Sequence, residues 1–357
     1  MIVLNIKDYL RLDDRQQERF KKVYDKYKKL YEHPNNCVPM IVARVAEIGL
    51  PSWEERLADP LVMLKAELDN LRHHLEMEDD CVPTVRVEFG TAQIAAAFGC
   101  KIFIPPNSLP AAGSYVLKNS SDVYKLKMPS LKAGWYEKLC DYTEVFLENL
   151  PKGVHIQHPD IQSTFNTAHL IRGNDIFLDF YDDPEALCTL LDTVTDYMIK
   201  LVPYLKGMIS SDREWFFDWG SMWKGTARIS NCSMHMISPD FYRDYVLPRD
   251  MRLMESIGGG RIHYCGTQGE VIDYFFQNPL ISGLDYDGNY HDLWDISKKA
   301  PDKVTLLQSM SANSQTVQRL LNGDWPEKRN IILNIYVSNI FEGKKVLKRL
   351  KESIPYV

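Results

Sequence analysis

With 357 residues, 45% of them hydrophobic and 25% charged, the chain has the composition of a globular protein and the length of two average domains or one large α/β barrel. Its net charge of −6 gives no general reason to expect nucleic acid or an anionic membrane as a partner. No window approaches the roughly 18 apolar residues of a membrane span, MIVLNIKDYLRLDDRQQERFKK lacks the apolar core and cleavage site of a signal peptide, and the seven scattered cysteines fit a reduced, cytoplasmic setting better than a disulfide framework.

The first element is a helix from about Asp13 to Tyr31, in which Phe20, Val23, Tyr24, Tyr27 and Leu30 recur at helical spacing. VPMIVARV (38–45) is a β-branched run between turn residues, and a helical stretch from Ser52 to His74 follows. The unit repeats with TVRVEFG (84–90) and the helix 130–151, then with GVHIQHPD (153–160) and the helix from Pro184 to about Lys206. REWFFDWG (213–220) reads as the fourth strand, with RISNCSMHM in a long connection before a helix capped by Ser238 and opened by Pro239. The stretch GGGRIHYCG (258–266) carries the fifth strand, and LISGLDYDG (280–288), VTLLQSM (304–310) and NIILNIYV (330–337) are the last three. Eight strands alternating with helices predict parallel βαβ units closed into a single (β/α)₈ TIM barrel over residues 36–357, preceded by an N-terminal helical extension, 1–35. Neither a GxGxxG loop nor a Walker pattern follows the first strand, and no GxSxG elbow is present.

A barrel of this kind places its chemistry at the C-terminal strand ends. Those ends carry Arg44 and Glu47, Glu88, His158 and Asp160, Asp218 and Trp219, His263 and Cys265, Asp285 and Asp287, Gln308 and Ser309, and Asn334 and Tyr336. Tryptophans and tyrosines among them suit the walls of a small-molecule pocket. His263 and Cys265 are two apart, so on a strand they share a face, and imidazole and thiolate are preferred zinc ligands. Zinc needs a third protein ligand, for which the adjacent strand offers Asp285 and Asp287. Cys232 and His235, in the loop before Ser238, read as packing and surface rather than as ligands. Glu88 reads as a substrate-facing acid or as half of an ion pair inside the barrel. His73, His74, His291 and Asp292 read as solvent-facing.

The run MISPDFYRDYVLPRDMRLMESIGGGRIHYCG (236–266) resembles the uroporphyrinogen decarboxylase superfamily, in particular its corrinoid-linked methyltransferase branch. HPDIQSTFNTAHLIRGNDIFLDFYDDPEALCTLLDTVTDYMI (158–199) is similar to the same family's third strand and the loop and helix after it. The resemblance implies a (β/α)₈ barrel, a zinc ion held by His263, Cys265 and a further ligand, and a corrinoid carried by a partner protein. That branch has a Pro-Gly-Cys after the last strand, where this chain has Asn334-Ile335-Tyr336-Val337, so the third ligand is expected to be Asp285 or Asp287. Porphyrin decarboxylation is not expected, because only Arg44 stands where those enzymes carry an arginine-rich signature.

The expected function is therefore methyl transfer to or from a small methylated molecule, such as an aryl methyl ether or a methylated amine. Glu88 and Asp160 are expected to orient substrate, Tyr336 to close the pocket, and Arg44, Trp219, Asn231, His235, Gln268 and Asn334 to contact the substrate. Two alternatives stay open: a metal-independent carboxy-lyase using Glu88, Asp160, His263 and Tyr336 for proton transfer, and a non-catalytic binding barrel. The oligomeric state is also open, a homodimer being one option.

Overall fold

The computed structural model describes residues 6–46, 49–328 and 330–355. A helix, Asp14–Glu32, is fixed at its start by a capping box between Asp13 and Gln16. It leads to β1 (Met40–Val45), the helices Trp53–Ala58 and Pro60–Met77, and β2 (Thr84–Val85). A small antiparallel pair, β3 (Ile102–Phe103) with β4 (Ala111–Ala112), precedes the helix Tyr136–Asn149. The third predicted strand holds one short piece, β5 (His155–Ile156); a second, β6 (Ile161–Gln162), lies just past its predicted end, and the long helix Pro184–Ile209 comes after. Further on lie β7 (Trp215–Asp218), β8 (Ser221–Lys224), β9 (Ala227–Ser230), β10 (Gly260–Tyr264), β11 (Ile281–Asp287), β12 (Thr305–Ser311) and β13 (Ile331–Val337), with a helix after each of the last five.

Seven strands form one parallel sheet in the order β1-β13-β12-β11-β10-β9-β6, and β2 pairs in parallel with β5. Because β5 and β6 are consecutive, this is the strand sequence of a (β/α)₈ barrel, interrupted at one place. Among the described residues no ladder joins β1 to β2, which departs from the closed barrel expected from the sequence. The residues just ahead of β2 take the ladder's place. Asp80 Oδ2 accepts the Ile41 amide at 3.0 Å and Asp79 Oδ2 accepts the Ala43 amide at 2.9 Å, so the edge of β1 is satisfied by carboxylates.

The fourth strand is corrected. REWFFDWG does not enter the sheet: β7 folds back on β8 as an antiparallel hairpin, and the parallel strand is β9, within the stretch read as a connection. Strand alternation gives the sheet two apolar faces. On one, Ile41, Leu306, Leu333 and Ile262 pack with the surrounding helices. On the other, Met40, Leu307 and Ile332 meet Phe216, Met222 and Trp223 of the hairpin and Val23, Tyr27 and Leu30 of the first helix. The hairpin and that helix thus fill the inner side of the sheet, and burying each such large side chain is worth about 1.5–3 kcal/mol. No described helix is long and apolar enough to cross a membrane.

Candidate functional site

β9 and β10 run side by side, with Ser230 opposite His263. Asn231 continues the ladder by donating its amide to the His263 carbonyl at 2.8 Å, so Cys232 comes off the end of β9 level with the end of β10. One ligand-capable atom from each of Cys232, His263 and Cys265 lies within 4.8 Å of the others. Cys265 is exposed, and Cys232 and His263 are half-buried, so the group opens at the C-terminal ends of the strands.

The third member of this group is Cys232, not Asp285 or Asp287. Asp285 stands opposite His263 on β11, and its Oδ2 lies 2.9 Å from His263 Nδ1. Its other oxygen is 2.8 Å from Arg261 Nη1. Asp287 turns into the next loop, where Oδ1 accepts from the amide and the side chain of Asn289, both at 2.8 Å. With Nδ1 engaged by Asp285, His263 has Nε2 as its nitrogen for a metal, the usual arrangement of a carboxylate behind a metal-bound imidazole.

The electrostatics of the three follow from this packing. Burial opposes charge on His263, but the Asp285 carboxylate outweighs it and lifts the imidazole to about 9. Hydrogen bonds from Cys232 and His263 bring the Cys265 thiol down to about 5. The same bond with Cys265, together with burial, pushes the Cys232 thiol up. Two sulfurs and an imidazole are a donor set that zinc prefers, and three protein ligands leave the fourth position that catalytic zinc sites keep open. The residues present fit a zinc ion.

Beneath them runs a buried ladder of charge. Arg261 is fully buried, pairs with both Asp285 and Asp218, and lies 4.4 Å from the centre of the Trp223 ring. Asp218 also meets Arg228 at 3.5 Å and Arg86 at 3.4 Å. Arg228 pairs with Asp160 at 2.6 Å, and Arg86 pairs with Glu88 at 2.9 Å. Glu88 and Asp160 are therefore members of an ion-pair network that reaches from β2 to β11, although Glu88 also lines a cavity. Burial opposes ionisation of Asp218, yet Arg261, Arg228 and Arg86 hold its carboxyl below the usual range.

That cavity, about 350 Å³, lies at the seam between β1 and β2. Arg44, Trp219, Glu88 and Tyr336 line it, and Cys232, His263 and Cys265 are not among its lining residues. Asn231 is fully buried with Nδ2 on Asp250 at 2.9 Å, and Asn334 is fully buried on β13 beside Ser309, so neither is exposed to solvent. His235 sits over Cys232, its Nδ1 2.6 Å from the Cys232 carbonyl, and its own carbonyl accepts from Gln268 Nε2 at 2.9 Å. Glu47 lies outside the described residues. Two solvent-facing expectations are corrected: His74 is held by Asp79 at 2.7 Å, and His291 is buried with Nε2 on the Gly266 carbonyl at 2.9 Å.

Cys232 is the residue missed from the sequence. Its signal was the misassigned strand: once Ala227–Ser230 is the fourth strand, a cysteine two residues past its end stands beside a strand ending in His-x-Cys.

Parallel strands in barrel order, with two thiols and an imidazole gathered at their C-terminal ends, define an α/β protein whose candidate site lies at one end of the sheet. The family model described as uroporphyrinogen decarboxylase (URO-D) matches residues 40–334. The chain belongs to that family. Among solved structures it is similar to a methyltransferase from Methanosarcina mazei, with a TM-score of 0.69 at 15% identity over 93% of this chain and 98% of the other. No curated protein sequence gives a match.

Proposed function

We propose that the chain is a methyltransferase or demethylase acting on a small methylated molecule, with zinc held by Cys232, His263 and Cys265. The observation that carries this reading is the gathering of those three donors at the ends of β9 and β10, with His263 Nδ1 fixed by Asp285. Family membership and the fold shared with the Methanosarcina mazei methyltransferase support it.

When bound, zinc supplies a Lewis acid that lowers the pKa of a thiol methyl acceptor at its open position. The remaining work falls to the chain. Asp285 Oδ2 accepts a hydrogen bond from His263 Nδ1 and so keeps Nε2 available, while Arg261 fixes the other Asp285 oxygen. The exposed Cys265 gives up its proton at the mouth, where a substrate enters from solvent. His235 and Gln268 form the rim over Cys232. We further propose that the sheet works as a (β/α)₈ barrel whose open mouth faces a partner protein carrying the corrinoid.

Metal analysis of protein purified without a histidine tag tests the proposal. Stoichiometric zinc is expected in the parent and is lost in Cys232→Ser and Cys265→Ser. Methyl transfer from methylcobalamin to an added thiol is expected to stop on treatment with a strong chelator and to return with zinc. A parent protein free of zinc would sink the reading.

A further inference from the structure

The seam between β1 and β2 holds a second cluster, which the proposed zinc centre does not use. His74 Nδ1 lies 2.7 Å from Asp79 Oδ2, and one donor-capable atom from each of His74, Asp79 and Cys81 lies within 4.8 Å of the others. Asp79 is 1% exposed and its oxygens are already engaged. Oδ2 also accepts the Ala43 amide at 2.9 Å, and Oδ1 accepts the Cys81 amide at 3.1 Å. A carboxylate engaged in this way fixes an imidazole well and ligates a cation poorly. A sulfur beside an imidazole that is oriented by a carboxylate is the constellation of an activated nucleophile.

Cys81 and His74 line the 350 Å³ cavity at the seam, and two further lining residues offer it hydrogen-bond donors. Arg44 Nε and Trp219 Nε1 are buried and have no hydrogen-bond partner among the described residues. Together they suit an oxygen acceptor, and the guanidinium favours one that is charged. Gly220, in the turn between β7 and β8, stands against the sulfur. A Cβ there would come within 2.6 Å of Cys81 Sγ, so the glycine leaves the thiol its space.

We propose that Cys81, paired with His74 and Asp79, is a nucleophilic thiolate that attacks a small carbon electrophile whose carboxylate or carbonyl oxygen is held by Arg44 and Trp219. The thiol proton passes to His74. The sulfur electron pair forms the S–C bond, the bond from that carbon to its leaving group breaks, and the leaving group departs with the pair. His74 then releases its proton to water. Burial opposes charge on His74, but the neighbouring Cys81 and Asp79 raise its imidazole to about 10.

Alkylation of the full chain, read by peptide mass spectrometry at each cysteine, tests the assignment. The probes are iodoacetate and iodoacetamide, which form a thioether and release iodide. Cys81 is expected to react about tenfold or more faster than Cys100 and Cys140, which are also buried but have no imidazole partner of this kind among the described residues. It is also expected to prefer iodoacetate more strongly than the exposed Cys265 does. Arg44→Gln should abolish that preference by slowing the reaction with iodoacetate far more than with iodoacetamide, and His74→Asn should slow Cys81 with both probes. The comparison within the parent protein needs no variant to fold. Cys81 reacting no faster than Cys100 and Cys140 while Cys265 is labelled would overturn the proposal. Protection of Cys81 by added zinc chloride would overturn it too, assigning the cluster to a cation.

Discussion

Asp285 and His263 stand opposite one another on β11 and β10, with Asp285 Oδ2 2.9 Å from His263 Nδ1. This contact sets which imidazole nitrogen faces the two cysteines, and it raises the basicity of a ligating histidine. Asp285→Asn keeps an acceptor near Nδ1 but removes the charge. Zinc affinity, measured by competition with a chromophoric chelator, is expected to fall about 10–100-fold. Asp287→Ala is expected to leave affinity unchanged, because Asp287 faces Asn289 in the following loop. Equal losses in the two variants would contradict the roles assigned to these aspartates.

The glycine at the start of β10 sets the spacing of the two strands that carry the site. A Cβ on Gly260 would lie 2.0 Å from the carbonyl oxygen of Ala227, a backbone atom of β9 that cannot turn aside. Gly260→Ala therefore forces β9 and β10 apart, and with them Cys232 from His263 and Cys265. A stability loss of about 1–3 kcal/mol is expected in urea denaturation, the usual cost of overpacking. Zinc affinity should fall with it. A variant with parental stability and affinity would show that the strands adjust without disturbing the centre.

The strands and helices were largely legible because β-branched runs between turn residues alternate with amphipathic segments. The fourth strand was not. The aromatic-rich run WFFDWG reads the same whether it faces a parallel neighbour or folds back as a hairpin. The true strand, ARIS, is four residues long and turns the buried Arg228 inward, which breaks the apolar pattern that marks a strand. That single shift also hid Cys232. His263 and Cys265 were visible from their spacing of two on one strand. The roles of Asp285 and His74 depend on distances between elements: each lies in a charge-rich stretch that composition alone assigns to a ligand shell or to solvent.

Asp218 is the shared anion of the buried ladder, facing Arg86, Arg228 and Arg261. Removing one partner from such a network leaves buried guanidiniums short of a counter-charge. Asp218→Ala is expected to lower unfolding free energy by about 3–5 kcal/mol. Since the folded protein holds this carboxyl below its ordinary value of 3.8, its contribution is present above that value and lost as pH falls below it. The difference between parent and variant in chemical denaturation should therefore be full at neutral pH and shrink in acid. A difference that stayed constant with pH would argue against a charge-based role.

Asp250 gives the opposite sign. It is buried, accepts from Asn231 Nδ2 and from the Tyr242 hydroxyl, each at 2.9 Å, and pairs with no cation among the described residues. Burial is the largest effect on it and raises its carboxyl from 3.8 to about 6, against the lowering effect of those two hydrogen bonds. Below 3.8 both folded and unfolded chains carry the proton. As pH rises through the window up to about 6 the unfolded chain ionises first, so the contribution of this group is lost, and above that the loss is constant. A shift of about two pKa units corresponds to about 3 kcal/mol. Asp250→Asn cannot ionise and keeps an oxygen to accept both bonds. The variant is expected to match the parent near pH 4 and to exceed it by about 1–3 kcal/mol at pH 7 in denaturant unfolding. A variant less stable than the parent at pH 7 would mean that the ionised carboxylate is held more favourably than its burial among neutral partners allows.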